Sequence, residues 1–182
     1  ETELLVEQAL LRIPEDQPYQ VLDLGTGSGA IALAIARERP RSRVTAIEQS
    51  SEAMEVAQHN IRTHKLNNIR LLQGDWFAPL QPQRFDIIVS NPPYIAEQDP
   101  HLLQGDVRHE PRPALTSGED GLDAIRDIIS QAGHYLERRG WLLLEHGHDQ
   151  AEAVKTLFLK HGFEDICHFT DLSGHPRVSG GR

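Results

Sequence analysis

The sequence predicts an α/β fold, a doubly wound, mostly parallel seven-stranded sheet between two helical layers in a three-layer αβα sandwich. Three observations carry this expectation. Strand-like and helix-like segments alternate along the chain. The fourth strand-like segment, FDIIVS, is apolar nearly throughout, as a strand covered on both faces is. A glycine-rich turn joins the first strand to the helix that follows it, as βαβ units require.

The elements follow in order. Leu4, Leu5, Ala9 and Leu11 give the opening residues a helical pattern. The chain begins at Glu1 inside that pattern without a Met, so it reads as part of something longer. Residues 20–24 form a short apolar strand running into the glycine turn. Residues 31–38 repeat alanine and aliphatic residues, as a helix packed closely on a sheet does. Residues 43–47 are the second strand. A helix with a Ser N-cap and an acidic first turn begins at Ser51 and runs to about His64. Residues 69–73 and 85–90 are the third and fourth strands. Residues 121–139 read as one long helix, 141–145 as the fifth strand and 151–161 as another helix. Late strands are expected at 164–169 and 177–179. Between them, residues 95–120 carry several prolines, two His and many acids with weak periodicity, which suggests a lid or recognition loop.

The bulk properties narrow the function classes. A chain of 182 residues suits one domain, here residues 1–182. No apolar run approaches the roughly 20 residues that span a bilayer, so no membrane partner is expected. The single cysteine, Cys167, has no internal partner, and a cytoplasmic location is expected. Lys and Arg are outnumbered 18 to 27, giving a formal charge of −9 with no basic stripe. That balance disfavours direct nucleic-acid binding and suits a cationic partner or small molecule.

Asp23-Leu24-Gly25-Thr26-Gly27-Ser28-Gly29 ends the first strand and opens a helix. Glycines there permit a sharp turn and let the backbone approach a ligand, beside the free N–H groups of a helix start. The spacing is G-x-G-x-G rather than the G-x-G-x-x-G of dinucleotide sites, which disfavours a nicotinamide oxidoreductase. Glu48 closes the second strand, where a carboxylate can accept from both ribose hydroxyls. Asp75 and Trp76 follow the third strand, where an adenine would lie. Trp76 either covers the base or packs under a loop. Asp23 either faces an amino group of the ligand or braces the turn.

After the fourth strand comes Asn91-Pro92-Pro93-Tyr94. The prolines fix the backbone and present carbonyls, and Asn91 adds a side-chain oxygen. Together these accept both hydrogens of an –NH2 group and hold it in one plane, on which Tyr94 can stack. An amide or aromatic-ring amine is a poor nucleophile because its lone pair is delocalised. Acceptors on its N–H bonds raise the electron density on nitrogen and aim it, which suits methyl transfer by positioning and electrostatics.

From end to end the motifs resemble the class I S-adenosylmethionine methyltransferases, whose sheet is Rossmann-like. The closer resemblance is to the release-factor glutamine methyltransferases (the HemK/PrmC family). It rests on DLGTGSGAIALA, Glu48, GDWF, FDIIVSNPPYI, the VRHEPRPAL run at 107–115 and the terminal PRVSGGR. The resemblance implies transfer of a methyl from S-adenosyl-L-methionine, leaving S-adenosyl-L-homocysteine, to the N5 of the glutamine in the GGQ loop of peptide-chain release factors. It further implies that Gly25 to Gly29, Glu48, Trp76 and Asn91 contact the cofactor, and that Asn91 to Tyr94 hold the substrate glutamine. Glu110, with Pro111 and Ala114, would line the substrate side. Family members carry an N-terminal helical docking domain, which is absent from this chain.

Alternatives keep the cofactor and change the target, to an exocyclic amine of a nucleic-acid base or a glutamine in another translation protein. A domain that senses the cofactor without catalysis is a further reading, which the intact NPPY disfavours. Ten histidines invite a metal, but none has the spacing of a hydrolytic zinc site, and His146-Gly147-His148 is the nearest approach, so no metal is expected. Cys167 reads as core, and Glu145-His146 as structural.

Overall fold

In the computed structural model the residues described are 2–99 and 114–182. The chain runs α1 (Thr2–Leu10), β1 (Gln20–Leu24), α2 (Ala30–Glu38), β2 (Arg43–Glu48), α3 (Ser51–Thr63), β3 (Ile69–Gln73), β4 (Phe85–Ser90), α4 (Asp123–Tyr135), β5 (Leu136–Glu145), α5 (Ala151–Lys160), β6 (Cys167–Thr170) and β7 (Pro176–Gly181). The seven strands form one sheet in the order β3-β2-β1-β4-β5-β7-β6. The first five are parallel, and β7 runs antiparallel to both β5 and β6.

Alternation along the central strands divides the core into two layers. Leu22, Leu24, Ile88, Leu142 and Leu144 meet Ile125, Ile128 and Ile129 of α4 and Phe158 of α5 on one face. Val21, Val44, Ala46, Ile87, Val89 and Leu143 meet Leu5 and Ala9 of α1 and Ile31, Ala32 and Ile35 of α2 on the other. The period of two in the strands thus faces periods of three and four in the helices. Such burial, at ~25 cal/mol per Å² of apolar surface, is what holds the layers together.

The chain winds outward from β1 to β3 and then returns to place β4 on the other side of β1. Order therefore reverses between β1 and β4, whose last residues, Leu24 and Ser90, are paired. A crevice opens beyond such a switch point at the carboxyl ends of the strands.

Two expectations are corrected. The helix read over 121–139 stops at Tyr135, because Leu136 turns extended and its carbonyl is taken by the Arg84 guanidinium at 2.6 Å. Register then jumps from Phe85↔Leu136 to Ile87↔Trp141, so residues 137–140 bulge, with Arg139 at φ 73°. The helix that begins at Ser51 carries a Ser cap, Ser50, whose Oγ accepts from the Ala53 N–H. The late strand begins at Cys167 rather than 164, since Asp165 sits at φ 49° and interrupts it.

Candidate active site

The glycine turn leaves β1 with Gly25, Gly27 and Gly29 at φ 66°, 56° and 87°, a region that L side chains rarely enter. The Thr26 N–H bonds the Ile47 carbonyl at 2.9 Å, and the Gly29 N–H bonds Thr26 at 2.8 Å. A Cβ on Gly25 would stand 3.2 Å from the Trp76 ring, whereas one on Gly27 would meet nothing within 4 Å. The turn is therefore packed at one end and open in the middle. Ser28 is fixed through its carbonyl, which accepts from Asn60 of α3.

Asp23 is fully buried. Its Oδ2 accepts from the Thr26 hydroxyl at 2.5 Å, while Oδ1 has no partner among the described residues. Burial pushes its carboxyl up to about 7 from 3.8, and the nearby Glu48 charge adds to the rise. The Thr26 hydroxyl and the Ala32 N–H pull the other way. Bracing the turn thus engages Oδ2, and Oδ1 stays without a hydrogen bond among the described residues. Glu48 accepts from the Gly27 N–H with Oε2 and from the Ser50 N–H with Oε1, both at 2.8 Å. These bonds aim the carboxylate along the turn and leave lone pairs on each oxygen.

Trp76 is half-buried at φ 40° and packs partly into the core, while Asp75 is exposed. Both line a cavity of about 340 Å³ that continues to Leu80, Gln131 and Tyr135. A larger cavity of about 430 Å³, between Arg84 and Phe163, lies at the opposite ends of the strands and touches none of these groups.

At the exit of β4, Ser90 is tied to β1 by a 2.7 Å bond from its hydroxyl to the Leu24 carbonyl. Asn91 follows, with its Nδ2 donating to Thr2 Oγ1 at 3.1 Å. Among the described residues, no donor reaches the carbonyls of Pro92 and Pro93. The Tyr94 carbonyl, by contrast, accepts from Gln150 Nε2 at 3.0 Å. Gly121 packs so closely there that a Cβ would stand 2.3 Å from the Tyr94 oxygen. The Tyr94 carbonyl is thus engaged by α5. Beyond it, Ile95 bridges Thr116, bringing the two arms of the long loop together. Ala114 is exposed on its returning arm, and Glu110 and Pro111 lie outside the described residues.

Three groups near this exit were not singled out as functional from the sequence. Glu145 ends β5 beside Asn91 at 2% exposure, accepting from Tyr94 OH at 3.3 Å and Thr2 Oγ1 at 3.2 Å. The signal was present, because WLLLE closes an apolar strand with a carboxylate just as RVTAIE does. Thr2 and Gln150 gave no such signal.

His146 is buried against β7. Its Nδ1 lies 2.8 Å from the Gly147 carbonyl and its Nε2 lies 2.6 Å from Ser179 Oγ. A carbonyl only accepts, so the Nδ1 carries the proton, Ser179 donates to Nε2, and His168 Nδ1 donates to Ser179 at 2.8 Å. Burial lowers the pKa of both rings, keeping this chain neutral and structural. Among the described residues, no group of three His, Cys, Asp or Glu gathers as a metal site would, His146 and His148 included.

Comparison with known proteins gives a consistent picture. The methyltransferase small domain family matches residues 2–109. Over all 182 residues the chain is 52% identical to the release factor glutamine methyltransferase of Xylella fastidiosa and 50% identical to that of Escherichia coli. It spans 66% and 65% of the length of those two proteins. A solved protein-(glutamine-N5) methyltransferase (release factor-specific) from Alicyclobacillus acidocaldarius is 30% identical with a TM-score of 0.60, over 99% of this chain and 90% of that one. The ribosomal protein L11 methylase of Lactobacillus delbrueckii shares the fold, with a TM-score of 0.72 at 20% identity over 98% of this chain and 76% of that one.

Proposed function

This chain belongs to the methyltransferase small domain family and, with the relatives just described, to the release factor glutamine methyltransferases. From that premise we propose that it methylates the N5 of the glutamine in the GGQ loop of a peptide-chain release factor, using S-adenosyl-L-methionine and releasing S-adenosyl-L-homocysteine. The observation that carries the reading is the pairing of Leu24 with Ser90, which sets the glycine turn and the NPPY exit side by side at the switch point.

The turn fits the cofactor. The partnerless oxygen of Asp23 suits the amino group of the methionine moiety, and the open face over Gly27 admits a ligand against the backbone. Glu48 keeps lone pairs for the ribose hydroxyls, and Asp75 and Trp76 flank the adenine. Thr26 and Ser28 contribute backbone to the cradle. The bound cofactor supplies an electrophilic methyl carbon.

The chain's own residues do the rest. Asn91 Oδ1 and the Pro92 carbonyl accept the two amide hydrogens of the glutamine, Pro93 keeps that backbone rigid, and Tyr94 covers the amide plane. Holding the nitrogen in line replaces an encounter in solution with a fixed approach, and the acceptors stabilise positive charge as it develops on nitrogen. The proton can leave after that charge has formed, so no strong base is needed. Glu110 would close the substrate side. The part of the relatives' length that this chain does not span would help dock the release factor, and the reaction would take place in the cytoplasm. Among the described residues, no helix is long and apolar enough to cross a membrane.

Incubation with labelled cofactor and a release factor, followed by mass mapping, tests the proposal. Label on the GGQ glutamine is expected. Label on nucleic acid instead would move the target to the exocyclic amine of a base.

A further inference from the structure

We propose that Glu145 and Thr2 are positioning residues that set which end of the Asn91 amide faces the substrate. The inference rests on the assignment of Asn91 as an acceptor for the substrate NH2 and adds the device that orients it.

An asparagine amide is nearly symmetric in shape, yet its two ends have opposite chemistry. Presented through Nδ2, it would set donor against donor and repel the substrate NH2. Presented through Oδ1, it accepts. Something must therefore choose. Asn91 is the first residue after β4, and Glu145 is the last of β5, one step past the paired Ser90 and Leu144. Glu145 is buried there. Its Oε2 accepts from the Thr2 hydroxyl at 3.2 Å and its Oε1 from the Tyr94 hydroxyl at 3.3 Å. Thr2 has a single proton, which Glu145 takes. The lone pairs of Thr2 Oγ1 then face Asn91 at 3.1 Å and can bind only its Nδ2. The acceptor oxygen of Glu145 thus sets, through one hydroxyl, a choice of polarity that turns Asn91 Oδ1 away from Thr2. The same carboxylate holds the Tyr94 ring by its hydroxyl, so one buried group sets both ends of the NPPY segment.

The two halves of the device come from distant parts of the sequence. Thr2 lies on the first turn of α1, and Glu145 closes a strand that β4 pairs along its length. Docking α1 on the sheet, through Leu5 and Ala9, is therefore what brings Thr2 to Asn91.

The test uses Glu145→Gln, Thr2→Val and Thr2→Ser in the intact enzyme with a release factor. Glu145→Gln keeps the shape but can donate. Thr2→Val keeps the shape and loses the hydroxyl while leaving the Glu145 side chain in place, so it serves if Glu145→Gln fails to fold. Each is expected to lower kcat by about 10–100-fold, with cofactor affinity within about threefold, while Thr2→Ser restores turnover. In an Asn91→Ala background both changes should add little, because their effect runs through the missing amide. Wild-type turnover in folded Thr2→Val and Glu145→Gln, or full additivity with Asn91→Ala, would overturn the proposal. Nitrogen-15 spectra of the Asn91 side-chain amide read the geometry without any substrate. Slow exchange of its hydrogens in the wild type, lost in Thr2→Val, is expected. Equal exchange in both would reject the orientation even if methylation itself fails to appear.

Discussion

At the scale of single residues, Asp23 carries the sharpest consequence. Its folded pKa of about 7 stands above its ordinary 3.8, so the stabilisation from its neutral form is full below about 4 and is lost as pH rises through about 7. Asp23→Asn has no such loss. Its melting temperature should therefore climb relative to wild type between pH 5 and pH 8 in the absence of cofactor, and a constant difference would contradict the burial argument. A cationic amino group needs the ionised form, so cofactor affinity should fall by about tenfold per unit as pH drops below 7. Calorimetry across pH checks this, and a flat profile would remove Asp23 from the ligand. Glu48→Ala should weaken cofactor binding as well, because it strips the Gly27 and Ser50 N–H groups of their acceptor and loosens the glycine turn. The residue types of this site were legible because glycine spacing, a strand-end carboxylate and a proline pair each have a backbone reason to be where they are. Thr2 and Gln150 were not, since a hydroxyl at 2 and an amide at 150 acquire meaning only when α1 and α5 pack beside β4.

At the scale of elements, β1, β3 and β4 fall where the apolar runs place them. The failure was the junction of α4 with β5. Glu137, Arg138 and Arg139 favour a helix by intrinsic propensity. They are exposed here and gain nothing by continuing it, while Leu136 is buried and must turn into the sheet. Tertiary burial overrode local preference. The loop root offers a prediction at this scale. Gly121 sits at φ 75° with the Tyr94 carbonyl where a Cβ would go. Gly121→Ala should cost about 1–3 kcal/mol of stability, measured by urea unfolding, and lower turnover more than cofactor affinity. An unchanged unfolding midpoint would show that the Tyr94 carbonyl is not held there.

At the scale of the whole molecule, alternation of strands and helices foretold a doubly wound sheet, and reversal of strand order between β1 and β4 explains why two motifs far apart in sequence share one crevice. The antiparallel β7 between β5 and β6 was not foretold, because short strands after α5 carry no signal of direction. A folded pocket of this kind should be stabilised by its ligand. S-adenosyl-L-homocysteine at a hundredfold excess over Kd should add about 2.7 kcal/mol, seen as a melting shift of several degrees. A nicotinamide dinucleotide should give none. The reverse pattern would mean that the glycine turn serves another nucleotide.

In the proposed reaction, oxygen acceptors at the exit of β4 hold a flat amide nitrogen for attack. Single-turnover methylation of a release factor by Asn91→Ala, with cofactor saturating and its affinity measured in parallel, tests this most directly. The expected rate is lower by about 10²–10³ with affinity nearly kept. A wild-type rate would contradict it.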